Sequence, residues 1–229
     1  MKNLAAIALL SSLAAVAGCK TAEAPEQRPT ATEPVMAGKP IERPMAAAMG
    51  DAAFAPGKYA VDASHSVFLW KIRHLGAGYT YGWFKDVTGS ITVDPDPSKQ
   101  SIELAIKAES IDSHDGKRDD HMRSPDFFNV AQFPTIMFKS TKIGGAAGNQ
   151  LSVNGDLTIH GVTKPVTVQV TALGAGTDPL VHATHIGYET KLTIKRSDFD
   201  MKFMSQLIGD DVELTIGLEA YRGGDAPKK

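Results

Sequence analysis

Residues 155–166 read GDLTIHGVTKPV. In an extended chain Leu157 and Ile159 fall on one side, and Asp156, Thr158 and His160 on the other, because successive strand side chains point to opposite faces. Gly161 follows, and Lys164-Pro165 is expected to carry the turn. The alternation then resumes, with Val166, Val168 and Val170 set against Thr167, Gln169 and Thr171. Such a stretch buries one face and wets the other. The fold depends on how often it recurs.

It recurs along most of the chain. Phe68, Trp70 and Ile72 alternate with Val67, Leu69 and Lys71, and Val87, Ile91 and Val93 with Thr88, Ser90 and Thr92. Ile102, Leu104, Ile106 and Ala108 form another row, followed by Ile136/Phe138 and Leu151/Val153. Ile186, Tyr188, Leu192 and Ile194 precede Val212, Leu214, Ile216 and Leu218. About eight period-two strands with turns between them predict an all-β fold, an antiparallel sandwich or barrel. Turns are expected at Asp94-Pro95-Asp96-Pro97, Gly144-Gly145 and Gly174 to Pro179. Two irregular stretches interrupt the pattern, Ser113–Pro134 and Arg196–Asp210. In the first, a short helix over Gly116–Arg123 stops before Pro125. Both are expected as lids across an end of a barrel.

The N-terminus has a different character. Lys2 precedes a short apolar run, Leu4 to Val16, closed by Ala17-Gly18-Cys19. The run is too short to span a bilayer, so residues 1–18 read as a secretory signal. Small residues before the only cysteine resemble a bacterial lipobox, with Cys19 as the acylated first residue and a membrane anchor. Lys20, by resemblance to known bacterial sorting, favours the outer membrane and a protein facing the periplasm. Residues 19–56 carry six prolines and one aromatic, Phe54, and read as a disordered tether. The folded part is expected over 57–222, with a flexible tail at 223–229. A single cysteine rules out an intrachain disulfide, and a formal net charge of −2 gives no field for nucleic acid.

Several groups invite a chemical reading. Asp62, His65 and Ser66 have the residue types of a hydrolase triad. They crowd into five positions without a G-x-S-x-G elbow, and read instead as capping and turn groups. His182 and His185 would face opposite sides of a strand, and His114 and His121 stand too far apart for one ion, so no metal site is expected. Phe127 and Phe128, before Phe133-Pro134, form an aromatic cluster that either plugs a core or clamps a chain.

Five segments together resemble the YceI-like family: YAVDASHSVFLWKIRHLG (59–76), GWF (82–84), RDDHMRSPDFFNVAQFPTIMFKS (118–140), GDLTIHGVTKPV (155–166) and KRSDF (195–199). The resemblance implies a lipocalin-like closed antiparallel barrel whose elongated cavity holds an isoprenoid or other long-chain lipid. It implies no catalysis and no cofactor besides such a ligand, in an exported protein, with a homodimer within the family's range. On that reading Phe68, Trp70, Ile72, Phe84 and Phe138 line the cavity, and Phe127 and Phe128 stand near one end. Arg73, His74, His65, His160 and Arg196 are placed as candidates for a polar head group, although His160, at a strand end, is expected mainly to bond a neighbouring strand or loop. Two other readings stay open, a histidine-dependent metalloprotein or enzyme and a purely structural envelope lipoprotein.

Overall fold

A computed structural model describes residues 54–178 and 182–223. The stretch expected as a signal peptide, Cys19, and most of the expected tether and tail lie outside the described residues. Eleven strand segments run in chain order: β1 (Gly57–Val61), β2 (Val67–His74), β3 (Gly78–Phe84), β4 (Val87–Val93), β5 (Ser101–Lys107), β6 (Ile111–Asp112), β7 (Thr135–Ala147), β8 (Gln150–Ile159), β9 (Val162–Thr177), β10 (Thr184–Lys195) and β11 (Ile208–Arg222). One helix, α1 (Gly116–Arg123), joins β6 to β7.

The segments assemble into eight staves. β1 and β2 pair with successive parts of β11 in the same sense, Tyr59 opposite Arg222 and Phe68 opposite Ile216, so they form one kinked stave. β3 and β4 continue each other against β2 and β1, and β5 and β6 against β4 and β3. From there every strand pairs antiparallel with its sequence neighbour, and β11 closes the ring on β1 and β2. The result is a closed eight-stranded antiparallel barrel. Closure removes the free sheet edges that would otherwise template aggregation.

Period two sets what faces inward. Phe68 and Trp70 are buried while Val67 and Leu69, which alternate with them, stay exposed. Val87, Ile91 and Ile186 are buried in the core, and Ile102, Ile106, Val153, Val168, Val170 and Leu218, buried as well, face the bore. Burying each of these aliphatic side chains contributes about 1.5–3 kcal/mol.

Three turn expectations change. The hairpin between β8 and β9 turns at His160-Gly161, both with positive φ (51° and 75°), as two-residue hairpin turns require. Lys164-Pro165 lies inside β9, where Pro165 pairs with Asp156 and β10 has not yet joined the sheet. A proline is tolerated there because its missing N–H faces no partner. Gly144-Gly145 falls within β7 at a register shift, and Gly174 within β9 beside the shift at Gly187/Tyr188. These glycines mark bulges that bend the wall. The helix forms where the sequence places it: Asp115 accepts from the Arg118 N–H at its start, and Ser124 ends it before Pro125.

The connections 75–77, 113–134, 160–161 and 196–207 gather at one end, called here the mouth. Chain entry, at Phe54 to Gly57, is at the other. The fold does not begin abruptly at residue 57. Phe54 packs edge-on against Tyr188 at 5.1 Å, Tyr59 donates its hydroxyl to the Ala55 carbonyl, and Arg222 donates to the Pro56 carbonyl. Residues 54–56 therefore pack on the barrel, with the Phe54 ring partly buried against its core.

Candidate ligand cavity

The bore holds a cavity of about 440 Å³ that reaches the mouth. That volume lies within the roughly 300–1,000 Å³ of small-molecule pockets. Its wall is built by inward rows of the staves: Phe68, Trp70 and Ile72 from the kinked first stave, Leu104 and Phe138 from the next walls, and Leu214 from the closing strand. Gly82 on β3 makes room for the Trp70 indole, since any side chain at that position would collide with the ring. Gly155 does the same for Phe138. The Trp70 Nε1–H and one ring nitrogen of His160 are buried without a hydrogen-bond partner.

Tyr188, Glu189 and Thr190 of β10 meet the cavity lower down, and the other polar groups stand near the mouth. Arg118, His121 and Met122 project from α1, His74 ends β2, Thr80 stands on β3, and Met204 comes from the 196–207 connection. Most of their donors are already committed. Arg118 donates to the Ser113 hydroxyl and carbonyl, and His121 Nε2 meets the Asp126 carboxylate at 2.9 Å. Arg196 is buried, and its guanidinium donates to the carbonyls of Met201, Phe203, Ile208 and Gly209 at 2.8–3.2 Å. Burial pulls its pKa below the usual arginine value, against the opposing charge of Asp210. Arg196 is the latch that folds the 196–207 connection over the barrel end.

Phe68, Trp70, Ile72, Phe84, Phe127, Phe128 and Phe138 all line the cavity, as do His74 and Arg196. Phe84 and Phe128 meet edge-on at 5.6 Å, and Phe127 packs against His121. Three expected residues are elsewhere. Arg73 points outward, lying over the Tyr79 ring and donating to the Gly76 carbonyl, because odd positions of β2 face solvent. His160 turns away into the lid, its ring nitrogen Nδ1 3.2 Å from the Phe199 carbonyl and its ring against Phe133. His65 sits in the kink of the first stave, on the outer wall. Sequence reasoning missed Arg118, His121 and Met122, although their spacing of three and four places them on one face of the predicted helix.

The kink holds a separate polar cluster. Between β1 and β2 the chain leaves the ladder, and the Ser66 hydroxyl replaces the missing partner by accepting from the Glu219 N–H and donating to its carbonyl. Asp62 is fully buried, with one carboxylate oxygen bonded by the Ser64 N–H and hydroxyl and the other by His65 Nδ1. Burial opposes its ionisation, but these bonds and one from Tyr221 prevail and lower its pKa to about 2. The Tyr221 hydroxyl is pushed up to about 12, by burial first and then by its bond to Asp62. The hydrogen bond to Asp62, with that charge close by, raises His65 above its usual value. Asp62, His65 and Glu219 bring ligand-type atoms within 4.8 Å of one another, the one such group among the described residues. Since Asp62 is already saturated by three side chains and an N–H, the cluster works as a lock on the barrel seam.

Comparison with known proteins agrees with this architecture. A family model described as a YceI-like domain matches residues 59–220. A UPF0312 protein of Pseudomonas paraeruginosa is 37% identical over 185 residues, covering 77% of this chain and 96% of the relative. The crystal structure of Burkholderia cenocepacia BcnA superposes with a TM-score of 0.63 at 28% identity, covering 70% of this chain and 99% of that one. A polyisoprenoid binding domain from Saccharophagus degradans shares the fold at 18% identity, with a TM-score of 0.59 and coverage of 72% and 98%. The chain belongs to the YceI-like family.

Proposed function

We propose that this YceI-like protein binds a single long-chain apolar molecule, an isoprenoid, an isoprenoid quinone or a fatty amide, without transforming it. The observation that carries the reading is the 440 Å³ cavity, walled mainly by aromatic and aliphatic side chains, with most of its polar groups at the mouth. Each methylene moved from water to such a wall contributes about 0.8 kcal/mol, so a chain of roughly twenty carbons brings a gross term near 16 kcal/mol. Ordering the chain and the lid offsets part of it, and tight binding remains. The fold likeness to a domain named for polyisoprenoid binding is consistent with this ligand class. Within the same reading, the leader and Cys19 place the protein in the cell envelope, exported and lipid-anchored at the outer membrane.

A fluorescent polyene chain titrated into the protein tests this. Saturable 1:1 enhancement, reversed by unlabelled geranylgeraniol, is expected; absence of saturable uptake refutes the reading. For the anchor, Cys19→Ala should move the protein from the membrane to the soluble fraction, and unchanged membrane retention and processing would refute it.

A further inference from the structure

Two turns at the mouth expose large apolar residues, beside the polar Lys202, Ser205 and Gln206. Leu75 is 58% exposed, Leu207 45%, Met204 42% and Phe203 39%. The turns are tied together, the Leu75 N–H donating to the Leu207 carbonyl and the Leu207 N–H to the Met204 carbonyl. Phe203 packs on Phe127 and His121, and Met204 itself lines the cavity, so the apolar tip is continuous with the bore.

Local structure does not account for these side chains. Leu75 has φ 52° and Met204 φ 54°, a left-handed conformation that Asn, Asp or Gly adopt far more readily. A leucine or methionine there works against its own turn and buries little in the fold. Positions of this kind point to a contact outside the chain. Behind the tip lies a different belt: Tyr79 is exposed on β3, with Lys71 4.5 Å and Arg73 5.1 Å from its ring. Arg73 directs its guanidinium at the Gly76 carbonyl and this ring, leaving its charge available to an anionic surface.

We propose that the mouth docks on an anionic lipid bilayer, with Leu75, Phe203, Met204 and Leu207 entering the acyl boundary and Tyr79 and Arg73 at head-group level, beside Lys71, whose charge Glu213 pairs at 2.6 Å. Aliphatic tips backed by aromatic and cationic groups are the pattern of interfacial membrane contacts. The proposal rests on the cavity taking an apolar chain, and it supplies that chain with a route from bilayer to bore that avoids water.

The test is flotation of the chain from Lys20 onward with phosphatidylcholine vesicles, with and without phosphatidylglycerol. That form keeps the whole barrel, which stands as an independent protein in BcnA. The parent should float with phosphatidylglycerol vesicles. Leu75→Asp/Leu207→Asp should weaken partitioning at least about tenfold and slow chain transfer from vesicles, in line with the loss of two buried leucines. Leu75→Ser/Leu207→Ser should weaken it less, and Leu173→Asp, on the far half of the wall, should not. Affinity for a chain delivered from detergent micelles should stay within about twofold of the parent in every variant, since the bore is untouched. Failure of the parent to float, equal flotation of the double variants, or equal loss with Leu173→Asp overturns the proposal. Loss of micelle-delivered binding in the parent overturns the cavity reading instead.

Discussion

The two ends of the barrel solve the same geometric problem in opposite ways. At the end where the chain enters, Phe54 packs on Tyr188, Tyr59 is completely buried, and Tyr221 closes over Asp62. At the mouth, a latch built on one buried arginine holds a connection that exposes Phe203, Met204 and Leu207 among polar neighbours. A sealed end needs only well-packed rings. An end that must admit a chain needs a cover held at a few points, so that it can part from the wall without unfolding it. The difference tells which way the cavity opens.

The contrast breaks most severely if the latch is removed. Arg196→Met leaves four carbonyls under the lid without their donor, and hydrogen bonds to charged groups contribute roughly 1.5–3 kcal/mol each before compensation by water. A loss of about 3–4 kcal/mol in urea unfolding is expected, with faster chain release. A loss below about 1 kcal/mol would mean that the lid holds by packing alone.

Asp62→Asn loosens the seam near the sealed end. The folded Asp62 carboxyl has a pKa of about 2 against an ordinary 3.8. Its stabilising contribution is therefore complete above the unfolded pKa and is lost as pH falls from about 4 toward 2. The size is about 2 kcal/mol at neutral pH. In the presence of chelator, Asp62→Asn should cost that amount at pH 7 and flatten the acid limb of stability. An unchanged limb would assign acid sensitivity to other carboxylates.

Phe54→Ala should cost about 1–2 kcal/mol by removing a partly buried ring and its contact with Tyr188. Chain affinity should fall little, since Phe54 stands at the end away from the mouth. Smallest of all, His65→Ala and His160→Ala should each change chain affinity by less than about twofold, because neither side chain lines the cavity. A larger drop at either would move the binding site toward the seam or the lid.

Period two made the wall legible in the sequence. Phe68, Trp70 and Ile72 face inward because alternation is a local consequence of strand geometry. The Gly116–Arg123 helix was legible for a similar reason, since its stop signal lies in the adjacent residues. Direction at a kink was not. Asp62 and His65 fall where one stave bends, and alternation gives no guide once the chain leaves the ladder. Gly145 and Gly174 looked like turns because a bulge and a turn call on the same conformational freedom. The four carbonyls around Arg196 come from the backbone, where residue identity carries no signal.

Native mass spectrometry of the protein purified untagged from membranes, beside its Trp70→Asp variant, tests the central claim most directly. The account predicts that the parent carries one apolar chain of defined mass and that Trp70→Asp, with a charge placed in the apolar wall, is folded and empty. A parent that stays bare when supplied with isoprenoid lipid, or a Trp70→Asp variant that keeps the same adduct, would contradict it.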